Sequence, residues 1–227
     1  MAPPPVPERT PCNTLAEWNQ RVSDAMLIID QPETEENWDR MERAFLVLAS
    51  VVRGGAYKLE DDFIPGVKTL GRATTSAMLS DRSKLSGMAI EFLTTVGVRM
   101  AAKFEPLVHL YIPAVLKLCA RSGKIYVSRA TNCLKIFAAC CRVPPLVTLM
   151  KEYVTDKSQT LRFAVVDALH ELLSTSIRDG LPRRGRWVED VEFIIKATAT
   201  DANPETRKMS RKAFASYAEL WPDRVSE

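Results

Sequence analysis

Between residues 38 and 52 the apolar side chains fall at Trp38, Met41, Phe45, Leu48 and Val52. Steps of three and four put them in one stripe along a helix. The pattern recurs with polar breaks between, and it predicts ten helices. The first starts at a capping box, Thr14 with Glu17, and carries Trp18, Val22, Ala25 and Ile29. Asn37 is the expected cap of the second helix, and Gly54 and Gly55 its stop. A third is expected over residues 59–77, with Pro65 shortening or kinking its start. Leu85, Met88, Phe92 and Val96 mark the fourth. Phe104, Leu107, Tyr111, Val115 and Leu118 mark the fifth, with Pro106 near its start and a bend at Pro113. Val127, Ala130, Leu134 and Phe137 give the sixth, and Leu146, Leu149 and Tyr153 the seventh, after two prolines. The eighth follows the turn at 155–159, and the ninth carries Trp187, Val191, Ile194 and Ile195. The tenth, with Pro204 in its first turn, carries Met209, Ala213, Tyr217 and Leu220. No useful stretch alternates at period two, so the expected fold class is all-α.

Residues 155–173 and the stretch from 200 share a phrase. Asp156, Arg162 and Ala168 recur as Asp201, Arg207 and Ala213, at a shift of 45 residues. Helical repeats of the HEAT or armadillo type have periods of roughly 40–47. Ten helices then pair into an α-solenoid of about five helix–turn–helix units. The polar turns inside the units begin near 31, 80, 121, 155 and 200. Stacking should set them along one edge.

That edge changes the picture of the charge. A net charge of +3 on 227 residues is too small for bulk polyelectrolyte binding, so placement matters more than sum. The first turn carries Trp38 among acids. The others carry Arg82 and Lys84, Arg121 and Lys124, Lys157 and Arg162, and Arg207 and Arg211. An aromatic with flanking cations suits an acidic protein partner. Asp156 and Asp201 are expected as helix caps, with Arg162 and Arg207 tied to neighbouring aspartates as the structural alternative. Arg183, Arg184 and Arg186 are expected in a solvated loop.

The remaining chemistry is sparse. The five cysteines, Cys12, Cys119, Cys133, Cys140 and Cys141, have no C-x-x-C spacing, and His109 and His170 complete no zinc pattern. Buried, reduced thiols in a cytosolic protein are expected, with no metal. No phosphate loop, G-x-S-x-G or H-E-x-x-H occurs, so no enzyme and no cofactor are expected. The start of the chain shows no signal peptide, and no apolar stretch is long enough to span a membrane. Four prolines in the first seven residues predict a flexible lead over 1–13, leaving 14–227 as the repeat domain. Two functions stay open on the residues alone: an interaction module for one acidic protein, or a scaffold for another acidic partner or nucleic acid.

Four segments carry a resemblance: ENWDRMERAFLVLASVV at 36–52, SDRSKLSGMAIEFL at 80–93, SGKIYVSRATNCLKIF at 122–137, and DANPETRKMSRKAF with WPDR at 201–214 and 221–224. Their order and spacing resemble a TOG domain, a HEAT-repeat paddle, and within that group the CLASP N-terminal type. The resemblance implies a module that binds the tubulin heterodimer or microtubule through its intra-repeat turns; this chain is expected to act as a monomer, with neither membrane nor nucleic acid as its partner. It implies a place in the cytoplasm on microtubules, the spindle included. It also implies that Trp38 packs on β-tubulin, that Arg82, Lys84 and Lys124 engage tubulin, that Arg207 reaches α-tubulin, and that Lys157 adds a contact in the fourth turn.

Overall fold

The second helix shows how the chain builds itself. Met41, Phe45, Leu48 and Val52 are all buried, while Asp39 and Arg40 are exposed. Burying one such aliphatic or aromatic side chain stabilises the fold by roughly 1.5–3 kcal/mol, so the stripe decides which face turns inward. In a computed structural model the chain is described over residues 5–179 and 185–225. Among them are ten α-helices and no strand. They are α1 Leu15–Ile29, α2 Trp38–Gly54, α3 Phe63–Met78, α4 Ser83–Met100, α5 Val108–Cys119, α6 Lys124–Cys140, α7 Pro144–Lys151, α8 Gln159–Asp179, α9 Trp187–Ala199 and α10 Pro204–Leu220.

The helices form two compact units, Met1–Met100 and Ala101–Glu227. In the first unit α1 packs on α3 and α2 on α4, while α1–α2 and α3–α4 close as hairpins. Like helix stacked on like helix is the packing of a HEAT solenoid. Its core is aromatic: Trp18 meets Phe63 at 4.7 Å between ring centroids, and Phe45 meets Phe92 at 6.0 Å. The Trp18 indole also fills the space over Gly66, where a Cβ would sit 2.3 Å from its Nε1.

The second unit repeats the scheme, with α5, α7 and α9 in one layer and α6, α8 and α10 in the other. Phe104 joins Phe137 edge to face at 4.6 Å. Asp190 on α9 accepts from Lys151 Nζ at 2.6 Å and from Thr148 Oγ1 at 2.8 Å, which ties it to α7. At the end of the unit Glu192 Oε1 accepts from Tyr217 Oη at 2.6 Å and Arg224 Nε at 2.7 Å. Burial and that carboxylate push the Tyr217 phenol up to about 12.

Three expected elements differ. The third helix is split into a 3-10 helix over Ala56–Asp62 and α3, so Pro65 sits in the first turn of α3, where its missing N–H costs nothing. The start of the fifth is likewise a 3-10 helix, Ala101–Leu107, around Pro106. The seventh ends at Lys151, leaving Tyr153 outside it.

The Pro-rich segment, expected as a flexible lead, lies against the far end of α2. Thr10 N–H donates to the Ser50 carbonyl at 3.1 Å, Ser50 Oγ donates to the Pro7 carbonyl at 2.6 Å, and Arg53 Nε donates to the Glu8 carbonyl at 2.9 Å. Cys12, in the same segment, is buried. The approach is so close that a Cβ on Gly54 would stand 1.7 Å from the Thr10 oxygen, which only glycine permits.

Candidate functional site

Each unit presents its own row of intra-repeat turns. In the first unit, Asn37 stands at the N-cap of α2 but does not cap it. Its Oδ1 accepts from Thr34 N–H at 2.8 Å and its Nδ2 donates to the Pro32 carbonyl at 2.9 Å, so it braces the turn instead. Trp38 follows as the first residue of α2, half-buried. The guanidinium of Arg82, from the second turn, lies over the Trp38 ring at 5.9 Å. Glu33 and Glu35 each hold Arg82 at 2.5 Å. They raise its pKa above the ordinary arginine value, Glu35 more than Glu33. Ser80 joins the same knot, donating to Glu33 at 2.9 Å.

Sequence reasoning treats Arg82 as an outward-facing cation. In the structure its charge is compensated by two glutamates, and its part is to clamp the second turn to the first and steady the indole. The acids at Glu33 and Glu35 were the signal for this, since an unmatched acidic run beside an aromatic invites a cation from the next turn. Lys84, in the first turn of α4, is exposed with no ion-pair partner among the described residues.

In the second unit three turns lie in succession. Thr160 Oγ1 donates to the Cys119 carbonyl at 2.7 Å, joining the fourth turn to the end of α5. The fourth and fifth turns are joined by Arg162, whose Nε and Nη2 donate to the two oxygens of Asp201 at 2.6 and 3.1 Å. Arg162 Nη1 turns back onto the carbonyls of Asp156 and Lys157 at 2.8 and 3.1 Å. The structural alternative for Arg162 is therefore the observed one. The expected caps are corrected accordingly. Asn203 caps α10, accepting from Glu205 N–H at 2.9 Å, while Asp201 accepts from Asn203 N–H at 2.8 Å and from Arg162. Asp156 accepts from Ser158 N–H at 2.7 Å, two residues on, as a turn brace. Two residues' distance is the reach of an aspartate turn, and it competes with capping for the same oxygen.

Arg207 repeats the posture of Arg162 with one difference. Its Nη1 donates to the carbonyls of Asp201 and Ala202 at 2.6 and 2.9 Å, matching Arg162 on Asp156 and Lys157. Its Nε and Nη2, the pair that Arg162 spends on a carboxylate, have no partner among the described residues. The fork is held in place and unfilled, a geometry suited to a bidentate carboxylate. Lys124, the first residue of α6, and Lys157 are both exposed and unpaired among the described residues. Sequence reasoning missed the cleft of about 470 Å³ beside this row, lined by Asn132, Lys135, Phe163, Asn203 and Glu205 among others. Its members look like ordinary helix-surface residues until α6, α8 and α10 are set side by side.

The expectation for Arg183 and Arg184 lies outside the described residues. Among the described residues no helix is long and apolar enough to cross a membrane, and no group of three or more His, Cys, Asp or Glu side chains could hold a metal ion. All five cysteines are free thiols.

The sequence profile described as CLASP N terminal matches residues 19–227. Among curated proteins, stu1 of Aspergillus fumigatus is 27% identical over 213 residues, covering 90% of this chain and 15% of the relative. The chain spans between 13% and 19% of the length of eight curated relatives that it matches. Two solved structures share the fold. One, from work on how crescerin uses a TOG domain array to regulate microtubules in the primary cilium, superposes with a TM-score of 0.60 at 14% identity, over 88% of this chain and 76% of that one. The other, from work on TOG–tubulin binding specificity in microtubule dynamics and spindle formation, gives 0.59 at 12% identity, over 97% and 90%.

Proposed function

Because the chain belongs to the CLASP N-terminal family, we propose that it is a TOG module that binds the tubulin heterodimer through its intra-repeat turns and so regulates microtubule dynamics. The observation that carries this reading is Trp38. A large indole left half-exposed at the head of α2, backed by Arg82 and two glutamates, has no reason to stay out of the core unless something else covers it. Tryptophans of this kind dominate protein interfaces. Trp38 is the apolar anchor, on β-tubulin. Arg82 both holds it and lines the contact. Lys84, Lys124 and Lys157 supply cations to an acidic surface, and Arg207 takes a carboxylate of α-tubulin in its open fork. The module comprises 14–227 and catalyses nothing; any nucleotide hydrolysis coupled to binding belongs to tubulin. It acts as a monomer in the cytoplasm, on microtubules and the spindle, without cofactor, membrane or nucleic acid.

The test is co-elution with purified tubulin. Trp38→Ala should weaken binding by about 2 kcal/mol or more while helical content and melting temperature hold. Binding of the unaltered chain should weaken with salt, since exposed cations contribute. Unchanged tubulin affinity in Trp38→Ala, or a gel shift with RNA or DNA that does not need Trp38, would overturn the reading.

A further inference from the structure

A second charged feature lies at the other end of the same helices. The C-terminal turn of α2, the start of the 3-10 helix at Ala56, the last turn of α4 and the N-terminal segment meet around a polar cleft of about 220 Å³. Four cations from these four places line it: Arg9, Arg53, Lys58 and Arg99. Trp38 and Arg82 belong to the turns at the starts of α2 and α4, so this cleft lies a helix length away from them.

We propose that this cleft is a binding site for a phosphate monoester, borne by a phosphorylated serine or threonine of a peptide. Two of its guanidinium groups are fixed in advance. Arg53 is only 19% exposed and is held by the Glu8 carbonyl, with Glu91 and Thr95 each 3.4 Å away. Arg99 lies over the Tyr57 ring at 5.2 Å. A planar donor set that is already positioned loses less on binding a phosphoryl group.

Both arginines also stand in last turns, where they offset the negative helix ends. Arg9 and Lys58 have no such duty. They are exposed, with no acidic partner among the described residues, and add two mobile charges at the mouth. The volume suits one phosphoryl group rather than a long ligand. Glu8 adjoins Arg9 in sequence, Glu60 lies two residues after Lys58, and Glu91 pairs with Arg53; these acids would repel an extended polyanion or an anionic membrane.

The test is an amide chemical-shift titration of the whole chain with inorganic phosphate, a phosphoserine peptide and its unphosphorylated form. Phosphate and phosphopeptide should shift Gly54, Gly55, Tyr57 and Lys58 along one saturating path, and the unphosphorylated peptide should not. Lys58→Ala and Arg99→Ala should each raise the phosphopeptide dissociation constant about tenfold or more, as loss of a charged hydrogen bond implies. Arg9→Ala, in the exposed segment, should do the same without altering the melt. Shifts scattered over the surface, an equal response to both peptides, or tighter binding of a DNA duplex or anionic vesicles at these residues would overturn the proposal. Tubulin plays no part in the assay, so its outcome is independent of the Trp38 experiment.

Discussion

Removing the Asp201 carboxylate tests how the second unit keeps its turns in register. The side chain is 4% exposed and that of Arg162 16%. Asp201→Ala deletes two charged hydrogen bonds and leaves Nε and Nη2 of Arg162 facing an apolar methyl. Breaking one partner of a buried pair costs roughly 3–5 kcal/mol. Arg162 keeps two carbonyl acceptors, and water can reach part of it, so the expected loss is nearer about 2–3 kcal/mol. Urea unfolding measures it, with amide exchange in α8 and α10 reporting where the loss lies. Arg162→Ala should cost a similar amount. The double variant should fall short of the sum by about 1–2 kcal/mol, because the second change removes a partner already lost.

The pH dependence has a definite sign. Arg162 above all, and then the Asn203 N–H, depress the Asp201 pKa, against the opposing effect of burial. Its stabilisation is therefore complete above the ordinary carboxylate value, about 3.9, and is lost as pH falls through the lower folded value. The gap between parent and Asp201→Ala should close only below that range. A loss under about 0.5 kcal/mol, or strict additivity with Arg162→Ala, would refute the argument.

Gly66→Ala should destabilise the first unit by about 1–3 kcal/mol on thermal melting, because the new methyl meets a fully buried indole that has nowhere to go. In the native protein Ellman's reagent at pH 8 should react with Cys140 alone on a short timescale, and with all five thiols in urea. Cys12, Cys119, Cys133 and Cys141 are buried, and burial pushes the Cys119 thiol up to about 12. Lys84→Ala, Lys124→Ala and Lys157→Ala should each slow association with tubulin a few-fold at low salt and less at high salt, read by stopped flow, since exposed charges steer encounter.

Much of the fold was legible because amphipathic spacing is a local property. The stripe from Met41 to Val52 and the Thr14–Glu17 box needed no tertiary information, and both stand as read. The repeat of Asp156 and Arg162 at Asp201 and Arg207 also carried its meaning in sequence. What it did not carry was the partner of each group. Arg162 bonds an aspartate 39 positions away, and Arg82 a glutamate 49 away, so both pairings wait for the stacking of one hairpin on the next. The prolines marked the helix starts but not their form. Pro65 does fall at a shortened start, and Pro106 just ahead of α5, yet that the residues before each helix wind as 3-10 turns was not readable from composition. The docked N-terminal segment was invisible because composition speaks of stiffness, not of the glycine 44 residues later that makes room for it.

That segment bears on how the protein is handled at the bench. A recombinant boundary placed at Thr14, where helical patterning starts, would strip away Pro7, Glu8 and Thr10. Ser50 and Arg53 would lose their backbone partners, and Cys12 would go with the trimmed residues. Such a fragment would keep every helix yet bare the crevice above Gly54, a ready spot for clumping. Bulky affinity tags are better joined upstream of Pro5 with a spacer than grafted onto the capping box.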